Sequence, residues 1–281
     1  SYSMPWQKQL VAHEYRHAVQ YNNLNRGVVK ILSYLFGQQS STVGLVFMPL
    51  WMIEGDAVMS ETEMSTFGRG LQPSFTMPYR AYGDVLGRFP NKDKWFCGSF
   101  RDYIPDHYSL GYLICRGGYS RYGEVMGDRV AWLTSRRPYM IISSDWVLKK
   151  LFGRTSFGLL QDTFDELVPH WQACADVEQT TVPLPVAEPR SHTVYSWPQM
   201  CDDGRVIALK EDLDTPSELV MIDTLTGAER RLARTGSLST RPALSSTGMV
   251  WWTEYRRSTL FEEKVSSRLC YVDLLAERPT A

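Results

Sequence analysis

Residues 10–21 have the sequence LVAHEYRHAVQY, in which apolar residues return every three or four positions. That spacing predicts an α-helix. Within the helix, His13 and His17 are one turn apart on the same face, with Glu14 beside them. Two histidines in a His-Glu-x-x-His pattern suit a single zinc ion, although each histidine alone would more often be an ordinary packed or exposed residue. The stretch therefore predicts a helical zinc site.

The same period predicts further helices through most of the first 177 residues. Pro49 is suited to open a helix because its missing N–H is not needed there, and Asp106 can cap another helix by accepting a bond from its first turn. The segment between Ser65 and Pro105 is rich in glycine, proline and aromatic residues and predicts loops. The helices expected after the first one are 28–36, 50–64, 107–122, 145–152 and 155–176.

A catalytic zinc ion needs a third protein ligand and an open position for water. Residues 51–57, with the sequence WMIEGDA, supply Glu54. This stretch and the His-Glu-x-x-His motif resemble the gluzincin (peptidase-MA-like) zinc metallopeptidases, whose third ligand is the glutamate of a Trp-x-x-Glu-Gly-x-Ala helix. The resemblance implies that His13, His17 and Glu54 bind zinc, and that Glu61 supports a ligating histidine. Without the upstream motif, the segment fits an amphipathic helix with solvated carboxylates.

Three other residues compete with Glu54 for the third position. Asp56 is two residues further along the helix and points about 200° away from Glu54. Glu61 shares the face of Glu54 but lies roughly 10 Å further along the axis. His107 could approach the site, but a third histidine would depart from the family pattern. Glu54 is therefore the predicted third ligand.

Residues 108–111, Tyr-Ser-Leu-Gly, are similar to the Tyr-x-x-Gly helix of the same superfamily, whose tyrosine helps to stabilise the oxyanion. The resemblance implies this role for Tyr108, and Glu14 is the expected general base. On its own the Tyr-x-x-Gly pattern is weak and also fits a core aromatic residue. Three nearby side chains are alternatives for the oxyanion role: Tyr82, His107 and Tyr112.

The resemblance covers residues 7–171, with two departures from the family. His17 and Glu54 are 37 residues apart, considerably more than in the family's aminopeptidases, which implies an inserted helix over 28–36. The sequence also contains no Gly-x-Met-Glu-Asn segment, with which those aminopeptidases hold a free substrate amine. Its absence indicates another specificity or a truncated chain.

Residues 180–189, TTVPLPVAEP, contain three prolines and predict an extended linker. Beyond them the apolar period changes to two, which predicts β-strands. Pro198 and Gly204 recur as Pro242 and Gly248 after 44 residues, close to the ~40–45 residues of a four-stranded propeller blade. This part resembles the TolB-like propeller repeat. We expect two blades, with the two glycines in equivalent turns.

Composition narrows the classes of partner. The 30 basic and 31 acidic side chains give a formal charge of −1 and are scattered, so we expect no nucleic-acid partner. No apolar run approaches the ~20 residues of a membrane-spanning helix, so we expect no membrane-spanning segment. The five cysteines are far apart and include no Cys-x-x-Cys pair, which predicts neither a zinc ribbon nor a disulfide framework.

These observations predict a mainly α metallopeptidase-like domain over 1–179, a linker over 180–189 and an all-β, partial propeller-like segment over 190–281. Two blades cannot close a propeller, so we expect a piece of a longer protein. The expected function is zinc-dependent hydrolysis of peptide bonds in a peptide or protein substrate. The alternatives are an inactive peptidase-like binding module whose propeller recognises a protein or glycan, and another hydrolytic chemistry at the same zinc site. The resemblance implies a periplasmic, cell-envelope or secreted location.

Overall fold

In the computed structural model, the described residues are 5–37, 48–66, 68–85, 89–123, 125–136, 143–174, 180–187, 189–261 and 263–275. They belong to two compact units. One unit is Ser1–Gly98 with Ile104–Val177, and the other is Ser99–Tyr103 with Glu178–Ala281. The first is built of helices and the second of antiparallel sheets. This confirms the expectation of a mainly α part followed by an all-β part.

The described part of the helical unit contains nine α-helices. They are α1 (Trp6–Leu24), α2 (Gly27–Phe36), α3 (Leu50–Glu63), α4 (Pro73–Arg80), α5 (Lys92–Cys97), α6 (His107–Tyr122), α7 (Met126–Arg136), α8 (Ser143–Phe152) and α9 (Ser156–Ala173). The six helices predicted from the apolar period are confirmed as α1, α2, α3, α6, α8 and α9, with ends that differ by a few residues. None of the helices in the described ranges combines the length and the apolar character needed to cross a membrane.

The prediction of loops between residues 65 and 105 is wrong in part. This segment contains the 3-10 turn Arg69–Leu71, the π-helical turn Ala81–Val85 and the helices α4 and α5. α4 starts at Pro73, where the missing N–H has no cost. α5 is capped by Asn91, whose Oδ1 accepts a bond from Lys94 N at 3.0 Å. Local capping therefore outweighs the glycine and proline content of the segment.

The sequence analysis did not predict α7. Gly123 and Gly127 flank its start and favour a loop in the sequence. In the structure, one face of α7 is buried, including Met126 and Val130, neither of which is exposed at all. Tertiary packing of that face stabilises a helix that the local sequence does not predict.

The helices α3 and α6 cross with their backbones in contact. A Cβ atom added to Gly55 of α3 would lie 2.1 Å from the carbonyl carbon of Gly111 in α6. A Cβ atom added to Gly111 would lie 1.8 Å from the carbonyl oxygen of Trp51. Both distances are far shorter than a van der Waals contact, so only glycine fits at either position. This crossing places Glu54 of α3 next to Tyr108 of α6.

The hydrophobic core of the helical unit lies around this crossing. Leu113 and Ile114 of α6 pack with Leu160 of α9, and all three are fully buried. The rings of Tyr79 and Trp95 stack with their centroids 5.4 Å apart. Each such side chain stabilises the fold by about 1.5–3 kcal/mol relative to its exposed state. The site residues of α1, α3 and α6 are thus attached to a rigid core.

The second unit contains two antiparallel sheets. Its strands are β1 (Thr193–Met200), β2 (Val206–Asp212), β3 (Glu218–Ile222), β4 (Glu229–Arg234), β5 (Ala243–Leu244), β6 (Met249–Arg257) and β7 (Val265–Asp273). Within the described residues, one sheet has the order β1-β2-β3-β4 and the other β5-β6-β7. Side chains from both sheets, such as Leu209, Met221 and Trp252, share one hydrophobic cluster. The Gln199 side chain also joins the sheets, because its Oε1 accepts a bond from Leu244 N at 2.7 Å.

Two turns of this unit repeat the same hydrogen bonds after 44 residues. The bonds pair Cys201 N with Arg205 O at 2.7 Å and Ser245 N with Met249 O at 2.8 Å. Each turn contains a glycine in the left-handed region, with φ of 82° at Gly204 and 77° at Gly248. The two glycine turns that the sequence repeat predicts are therefore equivalent in structure.

The predicted linker has no regular secondary structure where it is described. Residues 180–187 and Pro189 form neither helix nor strand, and Glu188 lies outside the described residues. Residues 99–103, which the sequence analysis placed in the helical domain, belong to the sheet unit. There, His192 N donates to Arg101 O at 3.0 Å. A short segment within the helical part of the sequence is therefore packed with the sheets.

Candidate metal centre

Two histidines of α1 and one glutamate of α3 converge on a single point. His13 Nε2 lies 3.2 Å from Glu54 Oε2, and His17 Nε2 lies 3.5 Å from the same oxygen. The ligand atoms of the three residues all lie within 4.8 Å of one another. Among the described residues, no other set of His, Cys, Asp or Glu side chains is arranged in this way. The structure therefore brings together the three residues that the sequence predicts as ligands.

The two separations measured from Glu54 are close to those of a tetrahedral zinc site, and all three donor atoms lie within 4.8 Å of one another. Zinc bonds of ~2.0–2.1 Å place neighbouring ligand atoms of a tetrahedron roughly 3.3–3.4 Å apart. The separations of 3.2 and 3.5 Å between the histidine nitrogens and Glu54 Oε2 agree with that edge length. The side chains of His13, His17 and Glu54 are 8, 14 and 15% exposed, so their donor atoms are shielded but not sealed from solvent.

Both histidines hold Nδ1 in hydrogen bonds and leave Nε2 directed to the centre. His17 Nδ1 donates to Gln20 Oε1 at 2.9 Å. His13 Nδ1 lies 3.2 Å from Glu61 Oε2 and 3.1 Å from Arg69 Nη2. In the His13 tautomer that can bind a metal, the Glu61 carboxylate accepts the Nδ1 proton, and Arg69 donates to the same carboxylate through Nη2 at 2.9 Å. Gln20 Oε1 accepts the Nδ1 proton of His17, so both imidazoles can present an unprotonated Nε2 to a metal ion.

Glu61 is completely buried beside His13. Arg69 binds it through Nε and Nη2, and Gln9 Nε2 donates to it at 3.1 Å. Burial favours the neutral carboxyl, but the hydrogen bonds from His13 and Arg69 outweigh it and lower the pKa of Glu61. The hydrogen bond with Glu61 in turn raises the pKa of His13. A buried carboxylate therefore holds the His13 ring in place.

Of the two predicted catalytic residues, Tyr108 lies beside the centre, and Glu14 follows one of its histidines in α1. Glu14 is exposed and follows His13 directly in α1. The ring of Tyr108 is half-buried, with its centroid 6.2 Å from that of His13 and 5.4 Å from Arg69 Cζ. Burial and the negative charge of Glu54 raise the pKa of Tyr108. The Tyr108 hydroxyl therefore stays protonated and can donate a hydrogen bond.

The alternatives to Tyr108 have other surroundings. Tyr82 packs edge-on against the aromatic core, 5.4 Å from the ring of Trp95. Tyr112 is buried and packs against Phe75. The His107 ring packs at a tilt against Tyr108, with ring centroids 4.6 Å apart. Of these rings, Tyr108 is the one in contact range of His13.

Asp56 points away from Glu54 into a buried polar network, as helix geometry predicts. Arg16 Nε donates to Asp56 Oδ2 at 2.8 Å, and Gln20 Nε2 donates to the same oxygen at 2.6 Å. The hydroxyl of Tyr119 donates to the other oxygen. Because Gln20 also accepts a bond from His17, this network contacts one histidine of the candidate metal centre through Gln20, and Asp56 itself is not among the candidate ligands.

The sequence analysis missed three residues of this site: Arg16, Gln20 and Arg69. Gln20 follows His17 by three positions and so shares its face of α1, and Arg16 lies between the two histidines. Helix geometry could have pointed to both. Arg69 belongs to a segment that was predicted to be a loop, and nothing in the sequence relates it to Glu61.

The centre has the groups that metal-assisted hydrolysis requires. Two imidazoles and a carboxylate can hold an ion, a protonated phenol lies beside them, and an exposed carboxylate follows His13 in α1. No protein-family model, curated protein or solved structure matches the chain.

Proposed function

We propose that the helical unit is a zinc-dependent peptidase of the gluzincin type, which hydrolyses peptide bonds in a peptide or protein substrate. The observation that carries this proposal is the convergence of His13 Nε2 and His17 Nε2 on Glu54 Oε2, at 3.2 and 3.5 Å. The exposed Glu14 carboxylate and the Tyr108 ring beside the centre add the groups needed for proton transfer and for charge stabilisation.

Each residue has a distinct part in the proposed reaction. A zinc ion held by His13, His17 and Glu54 would supply Lewis acidity and lower the pKa of a bound water. Glu14 takes the proton of the attacking water and later gives it to the leaving amine. The Tyr108 hydroxyl donates a hydrogen bond to the carbonyl oxygen as negative charge develops on it.

Residues around the centre keep the ligands oriented. Glu61 holds the Nδ1 proton of His13, and Gln20 holds that of His17. Both contacts select the tautomer whose Nε2 is free to bind. Arg69 keeps Glu61 ionised in its buried position, since its guanidinium contributes to the lowered pKa of that carboxyl.

The proposal is tested by zinc analysis of the full chain and by cleavage of a peptide library with and without a chelator. We expect about one zinc per chain, and cleavage that the chelator stops and added zinc restores. The matched control is Glu14→Gln, which leaves the three ligands unchanged. Zinc binding without any chelator-sensitive cleavage would contradict a peptidase and favour a peptidase-like binding module.

For the second unit, we propose two propeller-like blades of the TolB-like type, which bind a protein or glycan partner. The four-stranded meander β1–β4 has the strand number and order of one blade. The turns at Gly204 and Gly248 repeat after 44 residues with the same hydrogen bonds. An experimental structure should show the two sheets arranged radially about a common axis. Two sheets stacked face to face as a sandwich would contradict the proposal.

A further inference from the structure

An open cavity of about 630 Å³ lies in the helical unit. Its apolar wall includes Trp51, Trp95, Phe96, Ile104 and Leu110. Sites for small ligands usually measure ~300–1,000 Å³ and are lined mainly by apolar and aromatic side chains. The cavity therefore has the size and lining of a binding site.

The carboxylates that line this cavity already have partners. Asp145 Oδ1 accepts a bond from Ser156 N at 2.8 Å, and Asp145 Oδ2 lies 3.4 Å from Lys92 Nζ. Asp106 Oδ1 accepts a bond from Ser109 N at 3.0 Å as the cap of α6. A charged guest would have to compete with these contacts or lose its hydration without compensation. A neutral, apolar guest has no such cost.

The cavity and the metal centre share two helices. Trp51 lines the cavity and precedes the predicted ligand Glu54 by one turn of α3. His107 lines the cavity, and its ring centroid lies 4.6 Å from that of Tyr108, which in turn lies 6.2 Å from that of His13. An extended peptide advances ~3.3 Å per residue. An extended peptide bound at the centre therefore needs to advance only a few residues to place a side chain near His107, a residue of the cavity wall.

We propose that this cavity binds a bulky apolar side chain, aromatic or leucine-like, of the peptide substrate and so sets its specificity. The identification of the guest as a substrate side chain rests on the proposed peptidase function. Binding in the cavity itself requires no metal. Its apolar wall, its paired carboxylates and its position on the two helices that carry Glu54 and Tyr108 all favour this guest over a charged or small one.

Cys97 allows a direct test of occupancy. It is a free, exposed cysteine that lines the cavity, whereas the other exposed cysteine, Cys174, does not line it. The full chain is treated with N-ethylmaleimide, and alkylation of each cysteine is followed by mass spectrometry. N-acetyl-phenylalanine amide should slow alkylation of Cys97 with a saturable dose dependence, about threefold at twice its dissociation constant. N-acetyl-serine amide should leave both rates unchanged, and Cys174 should be insensitive to either probe.

A charge placed on the cavity wall provides the second arm. Leu50 lines the cavity, is 53% exposed and is the first residue of α3, where an acidic side chain is compatible with the helix dipole. Leu50→Asp should therefore fold normally and abolish protection of Cys97 by the phenylalanine amide. The matched control is Leu225→Asp, which introduces the same charge at a 90% exposed position of the sheet unit. It should leave the protection intact.

The outcomes separate the cavity from the chemistry. Equal alkylation of Cys97 with and without the phenylalanine amide, or protection that persists in Leu50→Asp, would overturn the cavity proposal even if peptides are cleaved. Protection that depends on Leu50 in a chain that cleaves nothing would support the cavity and contradict the peptidase. In an active chain, alkylated Cys97 should lower kcat/KM for phenylalanine-containing peptides tenfold or more, on the order of one buried aromatic contact, and spare alanine-containing ones.

Discussion

Gly55 and Gly111 touch through their backbones where α3 crosses α6, so closely that a Cβ atom on Gly55 would lie 2.1 Å from the Gly111 carbonyl carbon. The proposed ligand Glu54 directly precedes the first glycine, and Tyr108 lies one turn before the second. The Glu-Gly and Tyr-x-x-Gly patterns therefore have one physical cause in this chain. Each glycine lets a helix approach closely enough for the polar residue near it to reach the same site.

We expect Gly55→Ala to lower the free energy of unfolding by on the order of 3 kcal/mol, because neither backbone can move aside without disturbing the core. Gly158→Ala is the matched control, since its added Cβ would come nearest to the flexible Arg154 side chain, at 3.3 Å, and would be in ordinary contact with Thr155 Oγ1, at 3.5 Å. That change should be neutral or stabilising by up to ~1 kcal/mol. Denaturant unfolding measures both, and equal effects at the two positions would contradict the close crossing.

Glu14→Gln should retain zinc and lower kcat by a hundredfold or more, on the order expected for loss of a general base. Glu14 is exposed, so the substitution should leave the stability of the fold unchanged. Metal analysis, thermal unfolding and kcat are measured on the same preparation. Retained turnover would remove Glu14 from the mechanism.

Tyr108→Phe should lower kcat and leave KM little changed, because the hydroxyl acts mainly in the transition state. The ring itself is kept, so its contacts with His107 and His13 persist. A raised KM with normal kcat would instead assign Tyr108 to substrate binding.

Glu54→Ala should lose zinc far more readily than Glu61→Ala. Glu54 supplies the oxygen on which both histidine nitrogens converge, whereas Glu61 reaches the candidate ligands only through Nδ1 of His13. Removing a residue that orients a ligand typically weakens metal binding by about 10–100-fold. Zinc affinity by competition with a chelator distinguishes the two variants, and equal losses would contradict Glu54 as the ligand.

In the metal-free protein, obtained by adding a chelator, Arg69→Met should lower the free energy of unfolding by about 2 kcal/mol or more. The substitution leaves the Glu61 carboxylate buried without its cation. The loss should be smaller than for a fully buried pair, since the Arg69 side chain is 33% exposed. The control Arg154→Met removes an exposed partner of Asp162 and should have little effect. Thermal unfolding in the presence of chelator compares them.

The free energy of unfolding of the metal-free protein should also depend on pH through the ionisation of Glu61. Its pKa is lowered by folding, so its contribution to stability is present above the ordinary carboxyl pKa and is lost as the pH falls through the folded value. Glu61→Gln should lack this acidic loss of stability. If the unsubstituted protein and Glu61→Gln lose stability identically below pH ~4.5, the lowered pKa of Glu61 is contradicted.

Gly204→Ala and Gly248→Ala should destabilise the sheet unit by similar amounts, about 1–2 kcal/mol each, the cost of a left-handed residue with a Cβ atom. Their φ values are 82° and 77°, and neither added Cβ would clash with a neighbour. If one of the two substitutions destabilises the sheet unit far more than the other, the two turns are not equivalent.

Periodicity and spacing along the chain were enough to predict several local features of this protein. The apolar period of 10–21 sets the shared face of His13 and His17, and the 200° separation along α3 excludes Asp56 from the site of Glu54, as the structure confirms. The 44-residue repeat predicted two equivalent glycine turns. These are local properties, decided by backbone geometry within one helix or one turn.

Only the tertiary structure decided the rest. The partnership of Arg69 with Glu61, the buried face of α7 and the packing of 99–103 with the sheets join residues from separate elements. Whether Glu54 meets the two histidines depends on how α1 packs against α3, and whether it meets Tyr108 depends on the contact between Gly55 and Gly111. No spacing along the chain encodes either contact. Such contacts arise from close packing of whole helices and sheets, where burial and shape, not local sequence, determine which side chains meet.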